Sequence, residues 1–175
     1  SLEERIASQM IGVRASISMG DTRSIRVFVL GEAERPGSYT VSGLSTITNA
    51  LFASGGVKTI GSLRNIQLKR GGRVVSTLDL YDLLLRGDTS GDARLLPGDV
   101  IFIPPVGTTV AVSGEVYRPA VYEVKGSPGA KELLYLAGGL TPEADPQFAR
   151  LERIDERRQR VVLDLDLTAL AGRER

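Results

Sequence analysis

Glu32, Arg35 and Tyr39 recur in this 175-residue chain as Glu115, Arg118 and Tyr122. A tyrosine ring can stack on a pyranose face while Arg and Glu exchange hydrogen bonds with hydroxyls, so each set reads as a ligand-binding platform for sugar. The plainer reading pairs Glu with Arg across a hairpin and packs Tyr at a strand end, because duplicating a structural turn preserves the same residues. Other chemistry is narrowed by what the chain lacks. With no His and no Cys it can build neither a Ser-His-Asp triad, nor a Cys nucleophile, nor a thiolate or imidazole metal site. Asp88, Asp92 and Asp99 flank a Gly-containing loop, but their spacing fits no complete calcium-loop pattern, so they read as a solvated turn. Nothing in the sequence places two carboxylates at the fixed separation a glycosidase needs. The expectation is a non-enzymatic protein with no metal and no cofactor.

The elements that must carry these residues are organised by an internal repeat. Residues 26–41, RVFVLGEAERPGSYTV, lie over residues 109–124, TVAVSGEVYRPAVYEV, without a gap at a constant offset of 83, and eight of the sixteen positions are identical. The offset continues through Gly43/Gly126 and Leu51/Leu134 to Gly55-Gly56 and Gly138-Gly139. The copies regain register four residues later, where Val74-Val75 and Leu78-Asp79-Leu80 match Val161-Val162 and Leu165-Asp166-Leu167. Each copy opens on period-two alternation, a strand signal, with Val27 and Val29 or Val110 and Val112 on one face. A G-E-x-x-R-P segment follows. Gly31 and Gly114 accept unusual backbone angles there, and Pro36-Gly37 suits the centre of a type II turn before extended chain resumes at Tyr39 and Tyr122. A helix comes next, with Ile47, Ala50, Leu51 and Ser54 in the first copy and Ala130, Leu133, Leu134 and Ala137 in the second. Ser127 and Pro128 read as the start of the second helix, and Gly55-Gly56 and Gly138-Gly139 read as C-caps. Ile66, Leu68, Gly71-Gly72 and Val74-Val75 make a tight second hairpin. Leu80 to Leu85 is a short helix, Pro97-Gly98 a turn, and Val100 to Ile103 a buried strand. The Arg-rich stretch with Arg150, Arg153, Arg157, Arg158 and Arg160 alternates signs and reads as a solvated hairpin or a subunit contact. Two hairpins bracketing one helix give an α+β class with a β-grasp plan.

The segments Val29 to Tyr39, Ala53-Ser54-Gly55-Gly56 and Leu96-Pro97-Gly98-Asp99-Val100-Ile101-Phe102-Ile103-Pro104 together resemble the SLBB (soluble-ligand-binding β-grasp) domain. In tandem they resemble the bacterial polysaccharide export outer-membrane proteins. The motif positions are Gly31, Pro36, Gly37, Gly55, Gly56, Pro97, Gly98 and Asp99, with Gly114, Pro119, Gly138 and Gly139 in the second copy. The resemblance implies two tandem β-grasp domains, each a small mixed sheet with one helix across it. Residues 25–105 form the first and 106–175 the second, which lacks its closing strand. Residues 1–24 read as the tail of a preceding export domain, with a leader strand near 14–19. Two departures from the pattern are Ala120 in place of the turn glycine and the absence of a second Leu96-to-Pro104 strand. By the same resemblance the protein is periplasmic and associated with the outer membrane. It exports capsular polysaccharide or exopolysaccharide, forms a homo-oligomeric ring, works with an inner-membrane polysaccharide copolymerase, and lines the polymer's path. A soluble small-ligand or saccharide-binding β-grasp module is the alternative. A deep apolar pocket beside the hairpins would favour that alternative, a shallow surface assembly.

Bulk properties fit a folded protein and recruit no nucleic acid. Apolar residues are 42%, charged residues 25%, and 22 Lys+Arg against 21 Asp+Glu leave a net charge of +1. No apolar run approaches a membrane span. The start, Ser1-Leu2-Glu3-Glu4-Arg5, has no signal-peptide pattern and no Met, which reads as a trimmed or mature segment.

Overall fold

The computed structural model describes residues 23–154 and 157–171. The leader strand expected near 14–19 lies outside them. The first copy begins with β1 (Ser24–Gly31) and β2 (Gly37–Ser42), paired antiparallel from Ser24–Ser42 to Val29–Gly37. Alternation along β1 puts Ile25, Val27 and Val29 inside and Arg26, Phe28 and Leu30 outside. Helix α1 (Ile47–Ala53) follows; Asn49 Oδ1 accepts from the Thr46 amide at 2.9 Å, and Asp92 Oδ1 accepts from the Thr48 amide at 2.9 Å. Strands β3 (Ile66–Arg70) and β4 (Arg73–Leu78) close over Gly71-Gly72, whose φ values of +56° and +78° suit the primed two-residue turn. Helix α2 (Leu80–Arg86) is capped by Asp79, whose Oδ1 accepts from the Tyr81 amide at 2.9 Å, and ends on left-handed Gly87.

Strand β5 (Val100–Ile103) completes this sheet. It lies between β1, to which it runs parallel, and β3, to which it runs antiparallel, giving the order β2-β1-β5-β3-β4. Val27, Val29, Ile66, Leu68, Ile101 and Ile103 cover one face and are fully buried against Ile47, Ala50 and Leu51 of α1. This is a mixed sheet with a helix across it, as the hairpin–helix–hairpin order predicts. The turn before β5 has Gly98 at φ +83°, with the Asp99 amide donating to Leu96 O at 3.2 Å. The type II turn expected at Pro36-Gly37 is not formed. Gly37 has no positive φ and is already paired with Val29, so the left-handed position falls on Gly31 at φ +82° instead.

The second copy repeats these pieces as β6 (Thr109–Val112), β7 (Ala120–Glu123), α3 (Ala130–Ala137), β8 (Ala149–Ile154), β9 (Arg160–Leu165) and α4 (Thr168–Ala171). Helix α3 starts at Ala130 with Gly129 as N-cap, not at Ser127-Pro128. The Gly129 carbonyl takes the Glu132 and Leu133 amides, while the residue before Pro128 is biased toward extended chain. Strand β8 keeps the offset of 83, Ala149 pairing with Leu165 as Ile66 pairs with Leu78. The four extra residues therefore sit in the β8–β9 turn. Here β6–β7 and β8–β9 remain two separate two-stranded sheets, with no strand among the described residues joining them. No helix among the described residues is long and apolar enough to cross a membrane.

Candidate functional site

The two hairpin tips are built alike, down to individual hydrogen bonds. The Arg35 amide donates to Ser54 O at 3.1 Å and the Glu34 amide to Gly56 O at 3.1 Å; 83 residues on, Arg118 donates to Ala137 O at 2.8 Å and Tyr117 to Gly139 O at 3.2 Å. Each tip is thereby tied to the C-terminal end of its helix. The Tyr39 hydroxyl donates to Arg35 O at 2.5 Å, and that of Tyr122 donates likewise to Arg118 O. The Arg118 guanidinium donates to Leu136 O at 3.3–3.4 Å, placing positive charge at the negative end of α3. Arg35 lies in the same place against Gly55, where a Cβ would stand 3.4 Å from its Nε. Glu32 pairs with Lys58 at 3.8 Å, and Glu115 accepts from Thr141 Oγ1 at 3.0 Å. The expected pairing of Glu with Arg is thus replaced by separate partners. Glu115, Arg118 and Arg35 are exposed, Glu32 and Tyr39 are half-buried, and Tyr122 is buried beside Tyr81 with ring centroids 6.4 Å apart.

The motif glycines and prolines fall at the bends. Gly55, Gly56, Gly138 and Gly139 follow α1 and α3 with φ between +81° and +94°, and Pro36 and Pro119 immediately precede β2 and β7. The three loop aspartates do not converge. Asp88 accepts from the Ser90 amide at 2.9 Å, Asp92 caps α1, and Asp99 is buried and gripped by Arg70 through two contacts of 2.8 Å. Burial opposes the Asp99 carboxylate, but Arg70 and the Leu96 amide outweigh it and hold its pKa below the ordinary 3.8. Among the described residues no three acidic side chains cluster to hold a metal ion.

A second polar assembly, at the junction of the copies, is absent from any motif. The Glu123 carboxylate, from the end of β7, reaches into the first copy and accepts from Ser62 Oγ at 2.8 Å, the Leu63 amide at 2.8 Å and the Arg64 amide at 3.2 Å. It also takes the linker amide of Gly107 at 2.9 Å. Its backbone is held too: Arg64 Nε donates to Glu123 O at 2.6 Å, and the Glu123 amide donates to Tyr81 Oη at 3.1 Å. Arg64 lies 4.2 Å from the Tyr81 ring centroid and bonds Asp79 at 3.3 Å, and Lys125 reaches the same aspartate at 2.7 Å. Burial pushes against Asp79 ionisation, yet Lys125, the Tyr81 amide and Arg64 together lower its pKa. Tyr81 and Leu85 pack on the second copy's core of Val116, Tyr122, Val124, Leu136 and Ala137. The contacts of Glu123 lie 16 to 61 residues away in sequence, so no local pattern could have pointed to it.

A model of the SLBB domain matches residues 25–103, and a second SLBB model matches residues 109–162. The chain belongs to the SLBB domain family. Two Escherichia coli polysialic acid transport proteins KpsD are each 34% identical over 116 residues, which is 66% of this chain and 21% of theirs. The segment aligned with this SLBB chain thus spans about a fifth of the KpsD length.

Proposed function

We propose that this tandem SLBB segment is a non-enzymatic, periplasmic part of an outer-membrane polysaccharide exporter, supplying subunit contacts in a ring and part of the wall past which polymer moves. The observation that carries this reading is the pair of SLBB copies fastened at a bonded junction, in a chain related to polysialic acid transport proteins. Fixed spacing between stacked units suits a rigid wall. The outer face of the first sheet supports a ring contact, since Phe28 and Leu30 of β1 stand exposed beside Val100 and Phe102 of β5. Arg35, Glu115 and Arg118 at the hairpin tips are the polar groups offered to sugar hydroxyls, with Glu32 behind them and Tyr39 and Tyr122 bracing the tips. Residues 25–105 and 106–175 are taken as the two domains. The remaining parts of the exporter, including an inner-membrane copolymerase, belong to the same proposal.

The test is replacement of the chromosomal gene by alleles altered on the outer sheet face, such as Phe28→Asp with Leu30→Asp. Loss of surface polysaccharide together with loss of rings in electron micrographs is the expected result. Normal secretion from a strain lacking the gene would overturn the proposal. The competing reading, a small-ligand module, draws support from a half-open apolar groove of about 510 Å³ beside the second hairpin. Its walls include Val112, Gly114 and Leu151, the counterparts at the offset of 83 of Val29, Gly31 and Leu68, which pair with β5 in the first copy, and this favours an unfilled strand position over a ligand pocket.

A further inference from the structure

We propose that the crevice between α2 and α3, at the seam of the two copies, is a saccharide site that takes one edge of a sugar ring through two neighbouring hydroxyls. Helix periodicity builds it. On α2, Tyr81 and Leu85 form one i,i+4 row that packs on the second copy's core, which leaves the next row, Asp82 and Arg86, along the crevice. On α3, Glu132 and Leu136 form another such row with Tyr135 beside it, and Arg64 and Lys125 complete the lining. The cavity holds about 120 Å³, small beside the roughly 300–1,000 Å³ of pockets that enclose a whole ligand. It therefore admits an edge and leaves the rest of the molecule in solvent.

Two polar groups of this crevice have no partner among the described residues. Arg64 is 9% exposed; its Nε donates to Glu123 O and its Nη1 to Asp79, while Nη2 is buried and meets no acceptor. Glu132 is half-buried, and its carboxylate makes no hydrogen bond or ion pair. A buried donor left unmet is costly, so an acceptor seated against Arg64 is favoured. The charges around these two groups cancel. Arg64, Arg86 and Lys125 bring three positive charges, Asp82 and Glu132 two negative ones, and Asp79, bonded to Arg64 and Lys125, a third. An anion would meet Asp82 and Glu132 as like charges, and a cation would leave Nη2 unmet. A hydroxyl both donates and accepts, so two neighbouring hydroxyls satisfy Glu132 and Arg64 together, with the exposed Lys125 ammonium as a further donor. Tyr135, 43% exposed and with its ring centroid 5.5 Å from the Arg86 guanidinium, supplies apolar surface for the C–H face of the sugar. None of these side chains belongs to the hairpin tips, and the site stands whether or not the chain lines an export path.

The test titrates methyl α-D-mannopyranoside and methyl α-D-galactopyranoside into the isotope-labelled 175-residue chain, beside sodium acetate and glycine as anionic and zwitterionic controls. The expected result is saturable movement of the backbone amide resonances of residues 81–86 and 132–136 with at least one glycoside and with neither control. Glu132→Ala should weaken that binding about tenfold while keeping the parent's melting temperature, and Glu132→Gln, which retains a carbonyl acceptor, should recover part of it. Tyr135→Ala should weaken it about as much as Glu132→Ala. No saturable movement in the crevice with either glycoside would overturn the proposal. So would an equal response to acetate or glycine, movement confined to the hairpin tips, or full affinity in Glu132→Ala. Because the resonances report on the crevice alone, failure here leaves the export reading standing, and normal secretion from the deletion strain leaves this site standing.

Discussion

Replacing Glu123 by Gln tests the junction at its centre. The two carboxylate oxygens accept four hydrogen bonds, Ser62 Oγ and Gly107 N on one and Leu63 N and Arg64 N on the other. A Gln amide keeps one accepting oxygen and turns an NH₂ toward two donors. With the NH₂ on the Ser62 side, Ser62 Oγ, which already takes the Arg64 and Asn65 amides, cannot accept from it, and the Gly107 amide is left unmet. The Gly107 amide is only part-buried, so losing its partner costs about 1 kcal/mol, and two bonds to a charged acceptor that become bonds to a neutral one cost about 1–3 kcal/mol more, for an expected loss of about 2–4 kcal/mol. In a chain of this length that corresponds to a fall of about 4–16 °C in melting temperature. Glu123→Ala leaves the Leu63 and Gly107 amides without an acceptor and the Arg64 amide with only its 3.2 Å bond to Ser62 Oγ, and should also separate the unfolding of the two copies. Differential scanning calorimetry reads both effects, as a lower midpoint in the Gln variant and a split or broadened transition in the Ala variant. A Gln variant within about 0.5 kcal/mol of the parent, with cooperativity intact in the Ala variant, would refute the claim that this carboxylate locks the copies together.

Acid should weaken the fold through Asp99 and Asp79. Their pKa values are lowered in the folded state from 3.8, so their stabilisation is present above about pH 4 and is lost as pH falls through the folded values; Asp99→Asn should flatten the urea-midpoint profile below about pH 4. Gly31→Ala should cost about 3–4 kcal/mol in urea unfolding, combining left-handed strain with a Cβ driven into Ile103 O, whereas Gly114→Ala should show only the strain, about 1–2 kcal/mol. Tyr39→Phe should lose the bond to Arg35 O and about 0.5–1.5 kcal/mol. Saturation-transfer spectra with oligosaccharide should show contacts at the exposed hairpin tips, and silence at millimolar sugar would remove Arg35 and Arg118 from the polymer path.

The parts of this fold that were legible are those written in local spacing. The repeated Val-x-Val, the helix positions Ile47, Ala50 and Leu51, and the Gly71-Gly72 turn each depend on neighbours within a few residues, and each became the expected element. Pro36-Gly37 misled because the same pair serves as a strand start, and only the pairing of Gly37 with Val29 distinguishes the two. The hairpin residues were found by repetition, but their partners were not. Arg118 seeks a helix end and Glu115 a threonine, contacts set by how the hairpin docks on α3. Glu123 was invisible for a deeper reason. In the first copy its counterpart by the offset of 83 is Thr40, on an exposed strand position, so the junction depends on a difference between the copies and not on what they share.

The linker between the copies leaves directly from β5, and it is stitched down as it goes. Pro104 O takes the Ser62 amide, the Val106 amide donates to Ile60 O, Gly107 bonds Glu123, and Thr108 O takes the Val124 amide. A pull on the second copy therefore enters the first through its central strand. Because β5 is held by ladders on both sides, one parallel and one antiparallel, such a load is carried as shear across two rows of hydrogen bonds at once, and no pair can peel open from an edge before the others share the strain.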